Sequence, residues 1–209
     1  GYGLRNPFRI TVRPGSSEVW VGDVGWTAWE EINRLASPAD GAADNFGWPC
    51  YEGDGRQGGY DAANLTLCEN LYAAGSAAVV APYFRYHHND LVFPADVCPK
   101  GGSSVTGVSF AFYNGGNYPL AYRGALFFAD YTRRCIWSVE ASPNGLPDLA
   151  KVRTESTRVI NIVQFTDAKV IDPVYVERPY FLAPDGQVAA DARVGRGGEF
   201  GAQQEASQP

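Results

Sequence analysis

Apolar and polar positions alternate over Phe8-Arg9-Ile10-Thr11-Val12-Arg13, and the run stops at Pro14-Gly15. Strict alternation is the period of a half-buried strand. Glu18-Val19-Trp20-Val21-Gly22 follows at once, so the two segments predict a hairpin. Further strands are predicted over residues 105–113, 124–130 and 134–139, with a weaker candidate at 170–176. Between the first two lies the turn sequence Asn114-Gly115-Gly116.

One stretch reads two ways. In VGDVGWTAWEEINRL, residues 21–35, Trp26, Trp29 and Ile32 fall three apart with Glu30, Glu31 and Arg34 between them, a helical spacing. The same stretch follows a strand and a turn. An internal similarity favours strand: SEVWVGDVG…EEINRL and GALFFADYTRRCIWSVE both run from an apolar strand through an Asp and a turn to a charged residue before Ile. Asp23 and Asp130 hold corresponding places, and their separation suits propeller blades of roughly 50 residues each. Residues 30–35 are therefore expected to be a strand. Residues 37–104 are rich in Gly, Asp and Pro, and are expected to be a long, tied-down loop region.

Composition agrees with an all-β domain: 13% of residues are aromatic, with 24 Gly and 14 Pro in 209 residues. A net charge of -6 argues against nucleic acid as a partner. No apolar run approaches the roughly 20 residues of a membrane-spanning helix, so no transmembrane segment is expected. The chain has no Met and opens without a signal-peptide pattern, which suggests a piece of a longer protein. Residues 183–209 lack an apolar period and are expected to form a disordered tail behind a domain of residues 1–182.

The cysteines are Cys50, Cys68, Cys98 and Cys135. No C-x-x-C pair exists, and the two histidines, His87 and His88, are adjacent, so a structural zinc site is not expected. An even count in such a chain suggests disulfides and an oxidising, extracellular or periplasmic setting. Cys50–Cys68 with Cys98–Cys135 is the preferred pairing of three; four buried thiols are the alternative.

Nucleophile elbows and phosphate loops are absent. His87-His88-Asn89-Asp90 reads either as a metal or base site or as a solvated loop. Gly3-Leu4-Arg5-Asn6-Pro7 is more specific. Arg5 is a planar donor, and Pro7 keeps Asn6 extended, a corner suited to a carboxylate or quinone oxygen or to a capped turn. Gly25-Trp26 with Glu30-Glu31 offers carbonyls and carboxylates of the kind a calcium ion takes, or simply a solvated acidic face.

GLRNP, VGDVG, WEEIN, NFGWP, SSVTG and YRGALFFADY occur in one order. Over residues 1–155 that order resembles the glucose/sorbosone dehydrogenase family, six-bladed β-propellers whose typical members are aldose dehydrogenases using pyrroloquinoline quinone and calcium. The resemblance implies an all-β propeller fragment, about half of a six-bladed propeller, with long disulfide-tied loops. It implies oxidation of an aldose to a lactone by hydride transfer to the quinone, with a sugar substrate and an electron acceptor as partners. A non-catalytic extracellular binding propeller of the same fold is the alternative.

By the same resemblance Arg5 and Asn6 would lie beside the quinone, with Arg5 stabilising developing charge. The carbonyls of Gly25 and Trp26 would hold Ca2+, and Glu31 would serve a second calcium. Ser104 and Arg133 would contact the cofactor, Arg133 lying one place past a family lysine. The family's general-base histidine falls in a preceding part that these residues do not include, so the fragment alone is expected to be inactive.

Overall fold

The computed structural model describes residues 1–101, 105–115 and 118–157, with backbone alone for 105–110. Two four-stranded antiparallel sheets make up its frame. The first contains β1 (Pro7–Val12), β2 (Val19–Asp23), β3 (Trp29–Leu35) and β6 (Phe84–His87), in the order β1-β2-β3-β6. Between β3 and β6 lie a small hairpin, β4 (Tyr51–Glu52) and β5 (Gly55–Arg56), and two short helices, α1 (Gly58–Ala62) and α2 (Thr66–Ala74). The second sheet runs β10-β9-β8-β7, from β7 (Val105–Phe112), β8 (Leu126–Asp130), β9 (Cys135–Ala141) and β10 (Pro147–Ser156). With β1 lying against β7, the sheets stack like neighbouring blades of a propeller fragment.

The stretch with two readings is a strand, a turn and a strand. β2 and β3 pair from Val19↔Leu35 to Asp23↔Glu31 without a register shift. Such a ladder turns alternate side chains to opposite faces. Trp20 and Ile32 therefore point one way, while Val21, Asp23, Glu31 and Asn33 point the other. The second sheet repeats the alternation. Leu126, Phe128, Cys135, Trp137 and Val139 join Trp20, Ile32 and Tyr86 in the core between the sheets. Ala125, Phe127, Ala129 and Ile136 pack on the opposite face under Tyr113 and Tyr122. Trp20 and Trp137 are fully buried, and removing either side chain is expected to cost about 3–5 kcal/mol.

Residues 37–104 are more structured than their composition suggests. β6 completes the first sheet, pairing Trp29↔His87 through Ile32↔Phe84. α2 buries Cys68 and Tyr72, and the Tyr72 hydroxyl donates to the Cys50 carbonyl at 2.9 Å. Cys50 is bonded to Cys68 and Cys98 to Cys135. Among the described residues no cysteine is free and no helix is long and apolar enough to cross a membrane. The candidate strand at 170–176 and the expected tail at 183–209 lie outside the described residues.

The bridges close loops of different length, 18 and 37 residues in sequence separation. Chain entropy assigns them about 3 and about 4 kcal/mol. Urea unfolding of Cys50→Ala/Cys68→Ala and Cys98→Ala/Cys135→Ala variants checks this. The second pair, set in the inter-sheet core, is expected to lose more stability than the first.

Candidate functional site

The turn between β2 and β3, residues 24–28, is held by one carboxylate. Glu52 is 6% exposed, and its Oε1 accepts hydrogen bonds from the amides of Trp26 (2.8 Å), Thr27 (3.0 Å), Ala28 (3.1 Å) and Trp29 (3.2 Å). Thr27 Oγ1 donates to Oε2 at 3.2 Å. Burial works to raise the Glu52 pKa, but the amides outweigh it and hold the carboxyl below its ordinary range. Gly25 makes the turn possible: a Cβ there would lie 1.5 Å from the Trp29 carbonyl oxygen.

Arg5 closes the same turn from the other side. Its Nη1 donates to the carbonyls of Gly25 (2.7 Å) and Val24 (2.9 Å), and its guanidinium lies 5.7 Å from the Trp48 ring centroid. The Asp23 carboxylate accepts from the amides of Arg5 (2.8 Å) and Asn6 (2.6 Å), and the Asn6 carbonyl accepts from Val24 N at 3.0 Å. GLRNP is thus tied to VGDVG by the Arg5 and Asp23 side chains and by one main-chain bond. Beside the turn, three rings meet at the surface. Trp26, Trp48 and Tyr60 have centroids 5.6–5.7 Å apart in each pair, and Trp26 is 47% exposed.

Glu31, 8% exposed, accepts from Gly53 N at 2.6 Å and from Asn33 Nδ2 at 3.1 Å. Burial pushes its pKa up to about 7; the two hydrogen bonds oppose the rise, and the charges of Asp23 and Glu52 add to it. Asp23 is raised too, first by burial and then by Glu30, against the pull of the Arg5 and Asn6 amides. On the opposite face Glu30 is fully buried, with His88 Nε2 2.8 Å from its Oε1. The residues that sequence left between a site and a solvated loop are therefore divided: His87 belongs to β6, and His88 is anchored to the sheet interior.

The structure brings Arg5, Asn6, Gly25 and Trp26 to one corner, but not as a calcium site. The Gly25 carbonyl already accepts from a guanidinium, whose charge would repel a dication at that oxygen. Glu31 is spent on Gly53 and Asn33, and burial lifts its pKa to about 7, which weakens it as a calcium ligand. Among the described residues no group of three or more His, Cys, Asp or Glu is arranged to hold a metal. Arg133 is 1% exposed; it donates to the carbonyls of His87 (2.9 Å), His88 (3.0 Å) and Asp90 (2.7 Å) and lies over the Tyr86 ring. A side chain so enclosed braces the junction between the sheets and does not meet a cofactor. Ser104 lies outside the described residues. Sequence reasoning missed Glu52: it sits in a Gly/Asp-rich stretch, 26 positions from the first amide it binds.

Comparison with known proteins points elsewhere in the chain. The family model of the Ku70/Ku80 beta-barrel domain matches residues 147–194. Protein Ku of Mycobacterium phage Omega is 37% identical over 49 residues, covering 23% of this chain and 17% of that protein. The non-homologous end joining protein Ku of Bradyrhizobium sp. (strain ORS 278) is 41% identical over 54 residues, covering 26% of this chain and 18% of that protein. The chain therefore aligns with less than a fifth of the length of either relative. Among solved structures, the PQQ-bound form of aldose sugar dehydrogenase from Streptomyces coelicolor superposes with a TM-score of 0.42 and 16% identity, over 73% of this chain and 31% of that one.

These matches overturn the expected function. The family model and both relatives are of Ku proteins, one of them named for non-homologous end joining, and none is an oxidoreductase passing hydride from a sugar to pyrroloquinoline quinone and an electron acceptor, or an extracellular binding propeller. The exclusion of nucleic acid falls with it. It rested on a net charge of -6, which averages over the chain, whereas DNA responds to the local potential of the segment it meets.

The raised pKa of Glu31 fixes the sign of a pH effect. The folded state holds this proton more tightly than the unfolded chain, whose glutamates titrate near ~4.3. The resulting stability is fully present below that value and is lost as pH rises through about 7. Glu18, held down to about 2 against its burial by Arg13 and Arg34, changes only in strong acid and does not enter this window. Denaturant midpoints are expected to fall between about pH 5 and pH 8, by up to ~3 kcal/mol of stability. Glu31→Gln, which keeps an acceptor for Gly53 N, is expected to flatten that profile.

Proposed function

We propose that this chain acts in DNA end joining, through the segment at residues 147–194. The observation that carries the reading is the match of that segment to the Ku beta-barrel model, together with the two Ku relatives. The described part of the segment is β10, which pairs with β9 from Pro147↔Ala141 to Ser156↔Ile136 and, among the described residues, forms the outer edge of the second sheet. On this strand Lys151 and Arg153 have side chains 53% and 42% exposed; both pair with Glu140, and Lys151 also with Asp148. Exposed ion pairs contribute little to stability, so a phosphate can compete for these cations at small cost.

The reading is tested with the full chain and a fluorescent blunt duplex, using a closed circular DNA of the same sequence as competitor. Binding is expected to be salt-dependent and to resist the circle, which offers no ends. Lys151→Glu/Arg153→Glu is expected to weaken it about tenfold and to reduce the salt slope by roughly two phosphate contacts. Equal competition by the circular DNA, or no binding at low salt, rejects this function.

A further inference from the structure

The exposed ring cluster at the β2–β3 turn is not used by the segment just described, and it is unusually rigid. A 47% exposed Trp26 sits on a turn whose amides from Trp26 to Trp29 are all bound to Glu52, and whose Gly25 has no room for a side chain. Trp48 and Tyr60 wedge against its ring, at 80° and 57° to it. Arg5 lies over Trp48 and is itself fixed to the Val24 and Gly25 carbonyls. The platform is therefore ordered before any ligand arrives, which removes the cost of ordering its side chains on binding.

The chemistry of the rim narrows the ligand. The positive charge of Arg5 disfavours a cation. Glu52 and Asp23 turn their carboxylates inward onto main-chain amides, whose dipoles offset part of their negative charge, while Arg5 is the charged group that lies over Trp48. A flat aromatic group attached to an anion is what remains: stacking on indole needs only a π-face, and Arg5 supplies the cation. We propose that Trp26, braced by Trp48 and Tyr60 and flanked by Arg5, stacks an unpaired nucleobase of a DNA end. The proposal rests on the end-joining reading for its choice of DNA, but it uses a different surface, so the two can fail separately.

The experiment compares the full chain and its Trp26→Ala and Trp26→Phe variants. The probes are a blunt duplex, the same duplex with an eight-thymine 3′ overhang, and free oligo(dT). The overhang is expected to bind about tenfold more tightly than the blunt end, and oligo(dT) is expected to quench tryptophan fluorescence. Trp26→Ala is expected to abolish both effects while leaving blunt-duplex binding unchanged, and Trp26→Phe to retain most of the overhang preference. Trp26 is exposed, so neither variant threatens folding, and far-ultraviolet circular dichroism checks this. No overhang preference in the parent chain, a preference that survives Trp26→Ala, or equal quenching by a neutral glucan each overturns the proposal. Quenching by oligo(dT) without any binding of the blunt duplex upholds the stacking site and rejects the function assigned to residues 147–194.

Discussion

Glu52 reaches four consecutive amides of a turn more than 20 residues away, and the order of the first sheet depends on that reach. A turn that leaves β2 and re-enters as β3 exposes a row of N–H groups facing the same way. Buried without acceptors, each would cost about 1–3 kcal/mol. One carboxylate satisfies them together and draws its own stabilisation from them. Asp23 does the same for Arg5 and Asn6, and Asp130 for Arg133 N and the Thr132 hydroxyl. The internal similarity between the two sheets is thus a repeated device, an acid at the end of the second strand that caps the backbone beside it.

The parts of this fold visible in the sequence are those with a short period. β1, β2, β8 and β9 alternate or run apolar between turn residues, and those patterns placed them within a residue or two. The internal match resolved residues 30–35, where the Trp26-Trp29-Ile32 spacing suggested a helix. β6 and α2 were not foreseen. β6 is four residues long and takes its identity from pairing with β3, while α2 is stabilised by a disulfide and a tyrosine hydroxyl bonded to a distant carbonyl. Neither stabilisation is local, so neither leaves a periodic trace.

The corner at Arg5 was legible as a place but not as a chemistry. Arg5, Asn6, Gly25 and Trp26 do converge, and the ordered motifs that brought them together are explained by what they build. GLRNP and VGDVG are joined by the Asp23 carboxylate, which accepts from the Arg5 and Asn6 amides, and by Val24 N donating to the Asn6 carbonyl. NFGWP seats Trp48 against Trp26, and Asn45 Oδ1 accepts from Gly47 N at 3.0 Å. Residues kept in order by a scaffold report the scaffold first, and activity has to be argued from the groups left free to act. Of the expected calcium ligands Gly25, Trp26 and Glu31, the Gly25 carbonyl and the Glu31 carboxyl are already engaged within the protein.

The segment resembling Ku is joined directly to the second sheet. β10 is the point of contact: it opens the segment matched at residues 147–194, and it is also the outer strand of the second sheet. Its attachment is specific. Val152 is 8% exposed and belongs to the inter-sheet core, and Thr154 Oγ1 donates to Asp96 Oδ1 at 2.7 Å, the same oxygen that accepts from Trp137 Nε1 at 3.1 Å. An edge strand held by both core packing and a buried carboxylate is not a loosely appended start to another domain. Its alternate residues, Lys151 and Arg153, still face solvent, so one strand can serve the sheet with one set of side chains and a charged partner with the other.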